Sequence, residues 1–152
     1  MTSDILLKEL RKKGYKLTEA RRAVVEIVAQ SPCALSPADV YELAKERYPT
    51  LGLVTVYRTL EKLEELHLVQ RVHQDDGCNA YLPEAEGHKH LLICKECKKA
   101  VYFEGDDLDD FFDEVGKKHH FVVNDHWLQL FGICENCKKT PFAISGANLS
   151  VL

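Results

Sequence analysis

Four cysteines in two pairs, Cys94-Lys95-Glu96-Cys97 and Cys134-Glu135-Asn136-Cys137, carry the most specific chemistry in this sequence. A two-residue spacer lets both sulfurs of a pair face one tetrahedral ion, and the segment between the pairs must fold back to deliver the second. The same spacing also serves redox pairs and disulfides. Here each pair is followed by two lysines, Lys98-Lys99 and Lys138-Lys139, as in matching turns around one ion. The reading is a closed four-thiolate Zn2+ site, which leaves no coordination position open and therefore holds structure rather than catalysing.

A second set of metal-ligand types begins just upstream, at His88-Lys89-His90. On a strand entering the apolar run that ends at Cys94, alternation puts His88 and His90 on one face with Leu92 and Cys94. Asp109, His126 and the adjacent His119-His120 pair are the candidates to complete a site around them. His73, Cys78 and Glu84, near the linker, form a further candidate set, although an isolated Cys is usually a small buried hydrophobe.

These groups need a scaffold, and 152 residues at 45% hydrophobic content suffice for one ordinary domain or two small ones that need help to hold together. A structural zinc is such help. No apolar run approaches membrane-spanning length, and Met1-Thr2-Ser3-Asp4 does not open a signal peptide, so the expectation is a cytoplasmic chain with reduced cysteines and no membrane partner. The net charge of -4 conceals a strong asymmetry, since all six arginines precede residue 72 while Glu104 to Glu114 holds seven acids and no base. The cationic N-terminal end is where a nucleic acid would bind.

Helical spacing and caps divide that end into four helices. Asp4 to Lys13 is closed by Gly14; Thr18 caps a second helix that ends at Ser31-Pro32; Ser36-Pro37 opens a third that runs to Tyr48-Pro49. Val54 to Leu66 is the fourth, with Val56, Leu60, Leu63 and Leu66 inward and Thr55, Tyr57, Arg58, Thr59 and Lys62 outward or sideways. Leu68–His73 and Asn79–Leu82 read as a hairpin joined through Gln74-Asp75-Asp76-Gly77. Helices followed by a hairpin describe a winged helix-turn-helix, whose last helix presents its early residues to the major groove. Past the polar stretch Pro83–Gly87, strands are expected at Leu91–Ile93, Ala100–Phe103, Phe121–Val123 and Trp127–Ile133, with an amphipathic helix from Leu108 to Val115 that turns Phe111, Phe112 and Val115 inward. This unit is small and apolar, which favours dimerisation through its sheet.

Gly14-Tyr15-Lys16-Leu17-Thr18 with Arg21, Val54-Thr55-Val56-Tyr57-Arg58-Thr59-Leu60, His88-x-His90 ahead of Cys94-x-x-Cys97, Asp125 to Gly132 and the second cysteine pair together resemble the ferric uptake regulator family of metal-responsive repressors over nearly the whole chain. The resemblance implies an α+β protein: an N-terminal winged helix-turn-helix DNA-binding domain (1–83), a hinge (84–87), a small C-terminal α/β dimerisation domain with structural zinc (88–139) and a tail (140–152). It implies a homodimer that binds double-stranded operator DNA of palindromic sequence when loaded with metal. Cys94, Cys97, Cys134 and Cys137 would hold the structural zinc. Lys16 would reach the minor groove, and Thr55, Tyr57 and Arg58 would meet DNA from the recognition helix. His88, His90, Asp109 and His126 match one of the family's two further sites, with Zn2+ favoured as the regulatory ion over Fe2+ or Mn2+. The interleaved site should have its ligands at Ala34, Lys89, Leu91 and Tyr102, none of them an ordinary ligand.

Three function classes follow. The first is a metal-dependent repressor without catalytic residues or small-molecule substrate. The second is an iron- or manganese-responsive or peroxide-sensing regulator of the same kind. The third, a metallohydrolase, is disfavoured because four protein ligands fill a tetrahedron that catalytic zinc keeps open.

Overall fold

The computed structural model describes residues 2–73, 77–105 and 108–139. The expected turn at Gln74–Asp76 and the tail 140–152 therefore lie outside the described residues. Four helices come first: α1 (Ser3–Lys12), α2 (Glu19–Gln30), α3 (Pro37–Arg47) and α4 (Leu53–Glu65). Side-chain caps set the starts of α2 and α3. The Thr18 hydroxyl accepts the N–H of Arg21 at 3.3 Å, while Ser36 and Asp39 exchange side-chain and backbone bonds in a capping box ahead of Pro37. Leu6, Leu10, Val24, Val25, Val28, Val40, Val56, Leu60 and Leu63 are fully or almost fully buried in one core.

Thr59 departs from the expected outward stripe. It is fully buried, and its hydroxyl donates to the Thr55 carbonyl at 2.7 Å, which satisfies the polar group inside the core.

The hairpin β1 (Val69–His73) and β2 (Asn79–Pro83) forms the wing. Beyond it lie β3 (His90–Cys94), β4 (Ala100–Phe103), α5 (Asp109–His119), β5 (Gln129–Gly132) and the short α6 (Glu135–Lys139). The second sheet has the order β4-β3-β5, with β4 antiparallel and β5 parallel to β3. The architecture is α+β, with a winged helix ahead of a smaller α/β unit. No helix among the described residues is long and apolar enough to cross a membrane.

Two expectations for the C-terminal unit are corrected. Phe121–Val123 is not a strand: among the described residues none pairs with it in a ladder, and Phe121 and Val122 are 75% and 84% exposed. The helix does not stop at Val115, and its apolar face turns only partly inward, with Phe112 half-buried against His126. It continues through a buried Gly116, over which the returning chain passes so closely that a Cβ would lie 2.9 Å from the Phe121 carbonyl oxygen. Phe111 and Val115 remain exposed.

A second apolar cluster joins the winged helix to the second sheet: Ala34, Val72 and the β2 residues Ala80 and Leu82 pack with Leu91 and Ile93 of β3, flanked by Ala100 and Tyr102. Main-chain bonds accompany it, from the Ala34 N–H to the Lys98 carbonyl (3.0 Å) and from the Ala100 N–H to the Pro32 carbonyl (3.2 Å).

Candidate metal centres and nucleic-acid face

The parallel register pairs Cys94 with Gly132, so the ends of β3 and β5 leave the sheet side by side. Cys97 follows in a turn reversed by Lys98, whose φ is +61°, and Cys134 and Cys137 follow β5 into α6. All four sulfurs lie within 4.8 Å of one another. Cys94 and Cys137 Sγ are 3.8 Å apart, and Cys97 and Cys134 Sγ are 3.7 Å apart. Disulfide sulfurs sit at about 2.05 Å, whereas zinc–sulfur bonds of about 2.3 Å give a tetrahedral edge of about 3.8 Å. The four sulfurs thus have the spacing of a tetrahedral thiolate site, and the set fits a structural zinc.

The protonation of the sulfurs agrees with that fit. Backbone N–H groups, that of Cys134 foremost, pull the Cys94 thiol down to about 6 against its burial. Cys137 is pushed up to about 12, mainly by its sulfur neighbours Cys134 and Cys97. One sulfur sheds its proton readily and another resists as negative charge accumulates; a divalent cation removes that conflict, and protons compete with it for Cys94 below about pH 6.

His88, just ahead of β3, His90 at its start and His126, shortly before β5, offer three imidazole nitrogens within 4.8 Å of one another. The Nε2 atoms of His88 and His126 are 2.8 Å apart, a contact in which one imidazole donates to the other. Zinc–nitrogen bonds of about 2.05 Å would set such nitrogens about 3.3 Å apart, so a separation of a few tenths of an ångström converts this contact into two ligand positions. His90 is 1% exposed, and its ring lies where a Cβ on Gly105 would come within 2.3 Å of Cδ2, so only glycine fits there. Phe112 stacks on His126 at 4.0 Å between centroids.

Asp109 is not among the groups within that radius. It is exposed at the first turn of α5, three residues before Phe112 and hence on the same helix face as the ring stacked on His126. His119 and His120, at the far end of α5, are likewise not brought to the cluster. His73, Cys78 and Glu84 are not brought together at all. His73 and Cys78 lie at the tip of the wing, while Glu84 follows its base and bonds to the Leu68 carbonyl, about 17 Å away along the strands. Burial raises the Glu84 carboxyl and the neighbouring His67 opposes the shift.

The positions of the interleaved site are filled by other contacts. Ala34 and Leu91 are buried in the second apolar cluster, and Lys89 pairs with Glu104 at 3.4 Å. The Tyr102 hydroxyl donates to the Pro83 carbonyl at 2.7 Å and lies 3.2 Å from the Gln70 amide, which can turn to donate in return. Burial, and then Glu84, hold the Tyr102 phenol well above its ordinary range, so it keeps its proton as a donor. Gln70 carried no sequence signal and Phe112 only that of an inward-facing helix residue: both act through partners more than thirty or about a dozen residues away.

Tyr57 and Arg58 project from the N-terminal half of α4 and are exposed, with Thr55 half-buried beside them. Lys16 is exposed in the loop ahead of α2, where the Arg21 guanidinium donates to its carbonyl oxygen. Lys62 of α4 sits 5.6 Å from the centre of the Tyr15 ring, which ties this loop to α4.

A winged helix carrying exposed basic and aromatic residues, joined to a unit with a four-sulfur site and a three-imidazole cluster, defines a metal-responsive transcriptional regulator. The chain belongs to the ferric uptake regulator family, whose model matches residues 12–131. It is 39% identical over 138 residues to the ferric uptake regulation protein of Bacillus subtilis (strain 168), covering 88% of this chain and 93% of that protein. Its fold matches the Helicobacter pylori ferric uptake regulator Fur, described as having three functional metal binding sites, with a TM-score of 0.71 at 24% identity over 92% of this chain and 96% of that one. It also matches a zinc uptake regulator complexed with zinc and DNA, with a TM-score of 0.66 at 22% identity over 91% and 97% of the two chains.

Proposed function

We propose that this protein is a homodimeric repressor that binds a palindromic operator when a divalent ion, with Zn2+ favoured, occupies the cluster of His88, His90 and His126, completed by Asp109. The convergence of three imidazoles beside the hinge is the observation that carries the reading. Three nitrogens and a carboxylate suit tetrahedral zinc, and the absence of thiolate fits Fe2+ or Mn2+ as the alternative. An ion bound there supplies a crosslink between the start of β3, the stretch before β5 and α5.

The residues determine what that crosslink reaches. A cavity of about 470 Å³ separates the cluster from the wing, lined by His67, Arg71, Glu84, His88, His126 and Trp127 among others. Ordering His88 therefore orders the end of the hinge that borders the wing. Exposed Phe111, Val115, Phe121, Trp127, Phe131 and Ile133 supply an apolar surface in the C-terminal half suited to a second copy. The zinc uptake regulator bound to zinc and DNA provides a precedent for zinc accompanying DNA binding in this fold.

Lys16, Thr55, Tyr57 and Arg58 would carry the DNA contacts, Lys16 in the minor groove and the other three from α4 in the major groove. Replacing Tyr57 by Ala should reduce discrimination between operator and scrambled DNA by about ten-fold while leaving the salt slope of nonspecific binding unchanged. Fluorescence anisotropy on both DNAs across a salt series measures this. Equal losses on both DNAs would remove Tyr57 from the base-reading face.

A further inference from the structure

We infer that Tyr102 is a positioning residue for DNA binding: with the apolar cluster around Leu91, it holds the winged-helix half against the β4-β3-β5 sheet without an ion. The inference rests on the proposed DNA-binding function and adds a division of labour within it. Docking of the two halves is built into the chain, and the imidazole cluster tunes the hinge beside that dock.

Three independent contacts meet at this junction. The Tyr102 hydroxyl, carried on β4, bonds to the Pro83 carbonyl at the end of β2 and approaches Gln70 of β1, so one side chain spans both wing strands. Around it, Leu91 and Ile93 close against Ala34, Val72, Ala80 and Leu82, which leaves Leu91 fully buried although it sits on a three-stranded sheet whose other face is exposed at Leu92, Val101 and Leu130. Two main-chain bonds, from Ala34 to Lys98 and from Ala100 to Pro32, fasten the loop between α2 and α3 to the turn after Cys97. The Gln129 side-chain amide adds a fourth tie, to the Arg71 carbonyl at 3.4 Å.

These contacts occupy the positions at which the family resemblance places an interleaved metal site. Ala34 and Leu91 offer no ligand atom and are buried in apolar surroundings, and Tyr102 offers a phenol that is already bonded. A metal-dependent bridge is therefore replaced by packing and hydrogen bonds that need no cofactor. The four-sulfur knuckle gains a second consequence, because the turn that follows Cys97 is itself part of the dock.

Amide hydrogen exchange on the full-length protein, with its tightly held zinc retained and any exchangeable ion removed by mild chelation, tests this directly. Ala34 and Ala100 should stay protected in the wild type with and without the exchangeable ion. In Tyr102→Phe, which keeps the ring and deletes the hydroxyl, both amides should exchange about five-fold faster, the effect of one hydrogen bond. Amides of α2 and α4 and the zinc content should be unchanged, whereas a general loss of stability would move the α2 and α4 amides as well. Operator affinity should fall by a similar factor whether or not the exchangeable ion is present. Loss of Ala34 and Ala100 protection in the wild type on chelation, or unchanged exchange in Tyr102→Phe, would overturn the inference. Absence of operator binding in the wild type, with the exchange pattern as expected, would instead remove the DNA-binding reading and leave the dock intact.

Discussion

Cys97→Ser should lose its zinc, its C-terminal fold and its dimeric state together, while the α1–α4 core persists. The sulfurs of Cys97 and Cys134 are 3.7 Å apart, and those of Cys94 and Cys137 3.8 Å, so each sulfur forms one corner of the same tetrahedron. A serine hydroxyl replaces a thiolate with a poor zinc ligand and leaves an incomplete set around Cys94, whose thiol is already poised to ionise. The C-terminal unit has little else to fall back on. Its sheet has three strands of four or five residues, and its outer face is open at Leu92, Val101 and Leu130. Structural zinc contributes on the order of 10 kcal/mol in small domains, more than such a sheet supplies alone. Zinc content after chelator challenge, sedimentation velocity and circular dichroism report the outcome, with the signal of β3–β5 and α5 lost and that of α1–α4 and the wing retained. A folded, dimeric Cys97→Ser without zinc would show that the knuckle is dispensable.

His126→Ala should behave in the opposite way, remaining a folded, zinc-retaining dimer whose operator binding no longer responds to the exchangeable ion. The residue is half-buried and makes its contacts through its ring, stacked on Phe112 and facing His88 Nε2 at 2.8 Å, so its truncation leaves the strands and the sulfur site untouched. Loss of one imidazole from the cluster should lower affinity for the exchangeable ion at least about 100-fold, beyond the usual cost of altering a supporting residue. Linkage gives a second reading. If metal raises operator affinity by some factor, operator must raise metal affinity by the same factor, and that factor should collapse toward one in the variant. The chain's single tryptophan, Trp127, adjoins His126 and offers a fluorescence signal for metal titrations. Unchanged metal dependence in His126→Ala would remove the cluster from regulation.

The features most legible in the sequence are those fixed by spacing along one segment. Cys-x-x-Cys pairs declare a tetrahedron because the spacer itself sets the sulfur geometry, and His88 and His90 come together as expected although β3 begins only at His90 and His88 sits in the bend ahead of it. Thr18 and Ser36-Pro37 announce helix starts through bonds made within three residues. The wing was legible from two short runs on either side of a turn.

What the sequence hides are outcomes decided by distant partners. Phe121–Val123 has strand-forming residues, yet a strand also needs a neighbour, and the described residues provide none. Val115-Gly116 looks like a helix end, but glycine is tolerated there because the chain returns across it. His73, Cys78 and Glu84 are close in sequence, but the hairpin separates Glu84 from the other two by its full length. The Tyr102 contacts with Pro83 and Gln70 join segments that no local pattern connects. Asp109 shows the same limit from the other side: the family resemblance selects it, and its turn of α5 lies beside His126 through Phe112, while its carboxylate is outside the imidazole group.

Native mass spectrometry of the dimer before and after mild chelation, with operator-like DNA binding measured on both samples, tests the central claim most directly. The expected result is one retained zinc per protomer plus one exchangeable ion, with tight operator binding lost alongside the second. A single non-exchangeable zinc and undiminished DNA binding would contradict it, and would leave His88, His90, Asp109 and His126 with no part in sensing.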